Sequence, residues 1–198
     1  MITEMKARKY TPTRRAEQQE QTRARIVRAA MELHEELGPR DTTISAVAAR
    51  AGVQRLTVYR HFPDDGSLFT ACSSRWLELN PPPDPAQWQD LAEPAARCRA
   101  AFAALHGYYR RTERMWSRAY RDEEEVPALK AVMSGFEAYL DAVRDDLLAT
   151  WPSAPATRRL LKATLGHCLR FSTWRSLDQE GLSDAEMASV MERWLVAL

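Results

Sequence analysis

The stretch ISAVAARAGVQRLTVYRHF, residues 44–62, decides the fold. Thr42 or Thr43 just ahead of it supplies a hydroxyl that can cap a helix. The apolar face of that helix is Ile44, Val47, Ala48 and Ala51. Gly52 falls where a tight turn requires positive φ. A second short helix follows from about Gln54 to His61, burying Val58 and Phe62. Ala48 is small where two helices must approach closely, and Val58 is apolar where the second docks back. This is the pattern of a helix-turn-helix, whose second helix enters the DNA major groove. A plain helical hairpin inside a bundle would share the apolar spacing. It would not explain the outer face of the second helix: Gln54, Arg55, Thr57, Tyr59, Arg60 and His61. Each of these can bond to phosphate oxygens or base edges. Arg55 and Gln54 sit at the end that meets bases, Arg suiting guanine and Gln adenine. Thr57, Tyr59 and His61 suit phosphates. Thr43 sets a hydroxyl beside the free N–H groups of a helix start, which favours an anion.

Outward from this stretch, everything after residue 20 has helical periodicity and no sustained strand alternation. A first helix is expected from about Gln18 to Leu37, with Ile26, Ala30, Leu33 and Leu37 on one stripe and Gly38-Pro39 as its stop. Residues 1–17 read as a mobile basic arm (Lys6, Arg8, Lys9, Arg14, Arg15) able to reach the DNA backbone or minor groove. Pro63, Asp64 and Asp65 open a fourth helix carrying Leu68, Phe69, Cys72, Trp76 and Leu79 toward a core. Four prolines within Pro81–Pro85 cannot be helix interior, and a domain seam is placed nearby, bridged by the fourth helix. Further helices are expected over about 93–111, 113–121, 127–150, 156–177 and from Ser183 onward, where Ser183 and Glu186 form a capping-box pattern. The expected organisation is all-α: an arm (1–17), a three-helix DNA-binding domain (18–65), and a helical ligand-binding and dimerisation domain (66–198).

Composition agrees with this division. The 198 residues are 45% apolar and 28% charged, an ordinary globular balance. Residues 1–62 carry 12 Lys/Arg against 7 Asp/Glu, while residues 63–198 carry 16 against 20. The basic front is therefore the part suited to a polyanion. Cys72, Cys98 and Cys168 form no CxxC, which argues against a disulfide framework, a zinc site or any other metal, and no cofactor is expected. No apolar run approaches the length of a membrane span, and no signal-peptide pattern opens the chain, so the expected location is the cytoplasm. Hydrolase, zinc-protease, nucleotide-loop and dinucleotide motifs are all missing, so an enzyme is not expected.

The segments IVRAAMELHEELG, TTISAVAARAGV and TVYRHF, followed by a helix opening with SLF, resemble the TetR family of bacterial transcriptional regulators over residues 22 to about 70. The resemblance implies a homodimer whose recognition helices read successive major grooves of a palindromic double-stranded operator. It also implies a small-molecule effector in the C-terminal domain that releases the DNA, and thus a repressor. It places Thr43, Tyr59 and His61 on phosphates and Gln54, Arg55 and Thr57 near bases. Three positions depart from the family pattern. Asp65 stands where a Lys is usual, Leu56 where a small residue is usual, and His34 where an aromatic is common. Asp65 keeps open the alternative of a ligand-binding or interaction protein of the same fold with weakened DNA binding. Leu56 either packs or meets a thymine methyl, and His34 is assigned to packing.

The C-terminal half offers Phe102, His106, Tyr109, Trp116, Tyr120, Phe136, Tyr139, His167 and Phe171 as candidate walls of a ligand cavity, with plain core as the competing assignment. On the last helices Leu161, Leu165, Trp174, Met187, Met191 and Trp194 form stripes. These are candidates for a two-fold four-helix interface, or a cover for the protomer's own core. The run Asp122-Glu123-Glu124-Glu125 is read as support for the start of the following helix.

Overall fold

The computed structural model describes residues 14–198, and among these there are nine α-helices and no strand. Helices α1 (Arg14–Glu36), α2 (Ile44–Ala51) and α3 (Arg55–His61) form the N-terminal unit. Then follow α4 (Asp65–Leu79), a 3-10 turn (Pro85–Gln87), α5 (Pro94–Asp122), α6 (Pro127–Ala149), α7 (Pro155–Cys168), α8 (Phe171–Gln179) and α9 (Asp184–Val196). Lys6, Arg8 and Lys9 of the expected arm lie outside the described residues, whereas Arg14 and Arg15 already belong to α1.

Local chemistry sets the boundaries. Pro94, Pro127 and Pro155 each occupy the first position of a helix, where the missing N–H costs nothing. Asp64 and Ser183 each form a reciprocal capping box, with Ser67 and Glu186 respectively. Two expected boundaries are corrected. The break expected near Thr112 does not occur. Its hydroxyl donates to the Tyr108 carbonyl within the helix at 2.6 Å, and the apolar stripe runs on through Trp116 and Ala119. The single helix expected over 156–177 is instead two. Arg170 is extended, and the Leu169 carbonyl that the break frees accepts the Tyr109 hydroxyl at 2.7 Å.

There are two cores. The smaller gathers Ile26, Ala30, Leu33, Val47, Ala48, Val58, Phe62, Leu68 and Cys72. The larger runs from Phe69 through α5–α9. Helix α4 feeds both. The prolines are not the seam. Pro83 is buried and its carbonyl accepts the Tyr139 hydroxyl at 2.7 Å, so this segment packs onto the larger core. Leu37 and Leu79, expected on buried stripes, are exposed.

The two units are also joined by a polar clasp. The Asp122 side chain, at the end of α5, is fully buried. It accepts from the Arg40 backbone N–H (3.2 Å) and from Arg121 Nε (2.6 Å), and Arg121 Nη2 donates to the Leu37 carbonyl at 2.8 Å. Burial alone would raise the Asp122 carboxyl. The hydrogen bonds and charges of Arg121 and Arg40 outweigh it and hold the group below its ordinary value. Asp122 is the last residue of α5, and its carboxylate bonds to Arg40 and Arg121 and not to the start of α6. It secures the α1–α2 turn to the C-terminal unit.

Gly38 lies inside this clasp with φ 101°, and a Cβ there would overlap Arg121 Nη2 and Asp122 Oδ2. Gly52 has φ 67° and open space around it. Gly52→Ala should cost about 1–2 kcal/mol from backbone strain alone. Gly38→Ala should cost clearly more, as a lower urea midpoint. Equal losses would show that the clasp contributes nothing.

Candidate nucleic-acid interface and effector cavity

The sequence builds α3 with one inward anchor and an otherwise free surface. Val58 is fully buried and Phe62 nearly so, while Gln54, Arg55, Leu56, Tyr59 and Arg60 are exposed and Thr57 and His61 half-buried. Gln54 is the residue preceding the helix, and its side chain makes no capping bond. Arg55 and Arg60 have no ion pair or side-chain hydrogen bond among the described residues. By contrast Arg50, at the end of α2, is held by Glu36 at 2.8 Å. Thr43 caps α2 by accepting from the Ala46 N–H at 3.2 Å, which leaves its own hydroxyl hydrogen free to donate. Leu56 is 58% exposed, so it does not pack. Asp64 and Asp65 have a local role: Asp64 accepts from the Ser67 N–H at 2.6 Å and Asp65 lies in the first turn of α4, where the helix dipole favours negative charge.

In the C-terminal unit the expected cavity wall is mostly filled core. Phe102, His106, Tyr109, Trp116, Phe136 and Phe171 are buried. Trp116 and Phe136 rings lie 4.1 Å apart, and Tyr120 stacks on Phe171 at 5.4 Å. The hydroxyls of the candidate wall residues Tyr109 and Tyr139 are spent on the Leu169 and Pro83 carbonyls. His106 stacks on Phe102 away from open space. His167 is exposed beside Trp194, so it lines no interior wall.

The apolar cavity lies instead at the seam between the two units. It encloses about 490 Å³ of space, its mouth included. Its walls are Met31 and His34 of α1, Phe69, Cys72 and Trp76 of α4, Met115, Trp116 and Ala119 of α5, and Leu129, Val132 and Met133 of α6. Only Trp116 belongs to the candidates read from the sequence. His34 carried a signal, as a polar ring on the buried stripe of α1. The methionines carried none. The wall is uncharged at neutral pH. Burial lowers His34 to about 4, opposed by the negative charge of Asp122, and burial pushes the Cys72 thiol up to about 12. His34 Nδ1 lies 3.5 Å from Cys72 Sγ.

Of the two assignments open for the last helices, burial fits the cover of the protomer's own core. Leu161, Leu165, Trp174, Met187 and Met191 are buried within the protomer, because α7–α9 cover its own core. Trp194 remains outside at 38% exposure, with Leu160, Val196 and Leu198 also exposed on α7 and the end of the chain. Among the described residues, no cluster of His, Cys, Asp and Glu could hold a metal, and no helix is long and apolar enough to cross a membrane.

Residues 26–72 match the family profile described as bacterial regulatory proteins, tetR family. The match runs from the buried face of α1 to Cys72 in α4. The chain is similar in fold to a TetR-like transcriptional regulator from Rhodococcus sp. RHA1, with 17% identity and a TM-score of 0.60 over 93% of this chain and 96% of that one. It is similar to NalD of Pseudomonas aeruginosa, described as the secondary repressor of the MexAB-OprM multidrug efflux pump (21% identity, TM-score 0.56, 91% and 96% covered). It is also similar to the multidrug binding protein EbrR complexed with imidazole (22%, 0.54, 88% and 89%). No protein of curated function matches it in sequence.

Burial lowers both His34 and His106 to about 4 in the folded state, against 6.5 when exposed. The unfolded chain therefore takes up protons first as pH falls. The stability these neutral rings contribute is complete above about pH 6.5 and is lost progressively toward pH 4. Going from pH 7 to pH 5, His34→Phe should lose roughly 2 kcal/mol less than the parent chain, read from urea midpoints. Identical losses would show that His34 is not buried as a neutral ring.

Proposed function

We propose that this chain, whose residues 26–72 match the tetR-family profile, is a ligand-responsive transcriptional regulator that represses by occupying a palindromic operator. The observation that carries the reading is the α3 surface. Its arginines, without an ion pair among the described residues, and its polar groups project from a helix whose buried anchors are Val58 and the adjoining Phe62. Arg55 and Gln54 read base edges, and Leu56, being exposed, is available to a thymine methyl. Thr43, Tyr59 and His61 seat the phosphates, with Arg60 adding charge. The acids at 64–65 are engaged by the start of α4, which weakens the case for a protein that has lost DNA binding.

A homodimer would bring two copies of α3 to grooves one helical turn apart, about 34 Å. The outward residues Leu160, His167, Trp194 and Leu198 are the surface we assign to that contact. An effector that favours a different arrangement of the two units lowers DNA affinity by its preference for that arrangement. The chain acts in the cytoplasm, where DNA is met, and catalyses no reaction.

Duplex binding followed by fluorescence anisotropy should fall steeply with salt. Arg55→Ala should cost about 1–3 kcal/mol on the preferred duplex and little on bulk DNA. Tyr59→Phe should weaken all duplexes alike. Absence of any preferred duplex would overturn the function. Equal effects of the two substitutions on every sequence would overturn the assigned roles.

A further inference from the structure

We infer that the buried Asp122 carboxylate, held by Arg121, is a positioning group for DNA recognition: it fixes the angle between the two units, and thereby the half-site spacing that paired copies of α3 can bind. The spacing role rests on the regulator reading above; the control of the angle does not.

The other tie between the units leaves the angle loose. Helix α4 joins them through apolar contacts, which carry no direction, and packed helices slide by small shear motions. The seam beside α4 is not packed solid. The apolar cavity separates part of α1 and α4 from α5 and α6. A surface groove separates Thr43 and Val47 of the α2 side from Val126 and Pro127 at the start of α6. Selecting one angle takes a directional contact.

The clasp is that contact, and it grips main chain. Asp122 Oδ1 accepts from Arg121 Nε at 2.6 Å, and Oδ2 accepts from Arg121 Nη2 at 2.9 Å and from the Arg40 backbone N–H at 3.2 Å. The same Nη2 donates to the Leu37 carbonyl at 2.8 Å, just past the end of α1, where a cation is favoured. The groups held in the N-terminal unit are thus backbone atoms at Leu37 and Arg40, with no side-chain slack between the grip and helices α1 and α2. Between them Gly38 leaves room for both partners and Pro39 stiffens the turn.

Burial makes the grip exacting. The Asp122 side chain is fully buried, so drawing it away from its donors would leave a desolvated charge. Arg40 and Glu125 also span the units, at 2.8 Å, but their side chains are 41% and 57% exposed and such pairs contribute little. The angle is therefore assigned to the inner carboxylate and not to the outer pair. One base pair added between half-sites moves the second by about 3.4 Å and turns it by about 35°. A fixed angle rejects that change and a loose one follows it.

The test compares the full chain with Asp122→Asn, which keeps one acceptor oxygen, with Arg121→Met, and with Arg40→Ala, which keeps the backbone N–H. Spin labels at Ala49→Cys and Ala142→Cys, both exposed, report the distance between α2 and α6 by pulsed electron resonance, in labelled chain diluted with unlabelled. The native cysteines are buried. The parent and Arg40→Ala should give one narrow distribution, and the other two variants one at least twice as broad. Arg121→Met keeps the test sound should Asp122→Asn fail to fold. On duplexes with half-site spacing altered by one base pair, the parent should discriminate at least tenfold and the two broadened variants threefold or less, with the same bases preferred within each half-site. An unchanged distribution in either folded variant, or equal broadening in Arg40→Ala, would overturn the control of the angle. Broadening with spacing discrimination intact, or with base preference lost as well, would overturn the spacing role. Broadening in a chain that prefers no duplex would uphold the control of the angle and overturn the regulator reading.

Discussion

Leu68 and Phe69 are neighbours in the chain and are buried in different cores. Most of what the structure can do depends on that sharing of α4. Cys72 continues the small-core face one turn on, and Trp76 packs toward the large core, edge-on to Trp116 at 5.9 Å. A helix committed on two faces cannot rotate for one unit without disturbing the other. The Asp122 clasp adds a second tie at the far end of the α1–α2 turn. The pose of α3 is thus set by packing around the C-terminal helices, although α3 itself touches none of them closely.

These two ties differ in kind. The α4 contacts are apolar and insensitive to salt. The clasp is a buried carboxylate held by an arginine and a backbone N–H. Pairs of this kind contribute geometry more than net stability, since desolvation offsets much of their attraction. The cavity lies between the two ties.

The N-terminal unit was legible in the sequence because each local signal agreed with the others. Thr43 caps, Gly52 turns with positive φ, Val58 anchors, and apart from Leu56 the remaining positions of α3 are polar. Helix starts were legible wherever Pro, Asp or Ser marked them. The C-terminal unit was legible only as helix. Periodicity tells which side chains are buried but not whether they meet each other or a void. Tyr109 and Tyr139 illustrate this, their hydroxyls being taken by carbonyls at a helix break and in a proline segment. The stripe of Leu161, Leu165, Met187 and Met191 had the spacing of an interface and proved to be the protomer's own core. His34 was set aside as packing, and it both packs and lines the cavity, a distinction that depends on α5 and α6 lying opposite.

The most direct test of the account is selection from a pool of random duplexes by the full chain at physiological salt. The account predicts enrichment of an inverted repeat whose half-sites are centred about one turn of B-form DNA apart, with guanine or adenine fixed where Arg55 and Gln54 reach. A pool that stays random after repeated rounds, or one enriched in single unpaired half-sites, would contradict it.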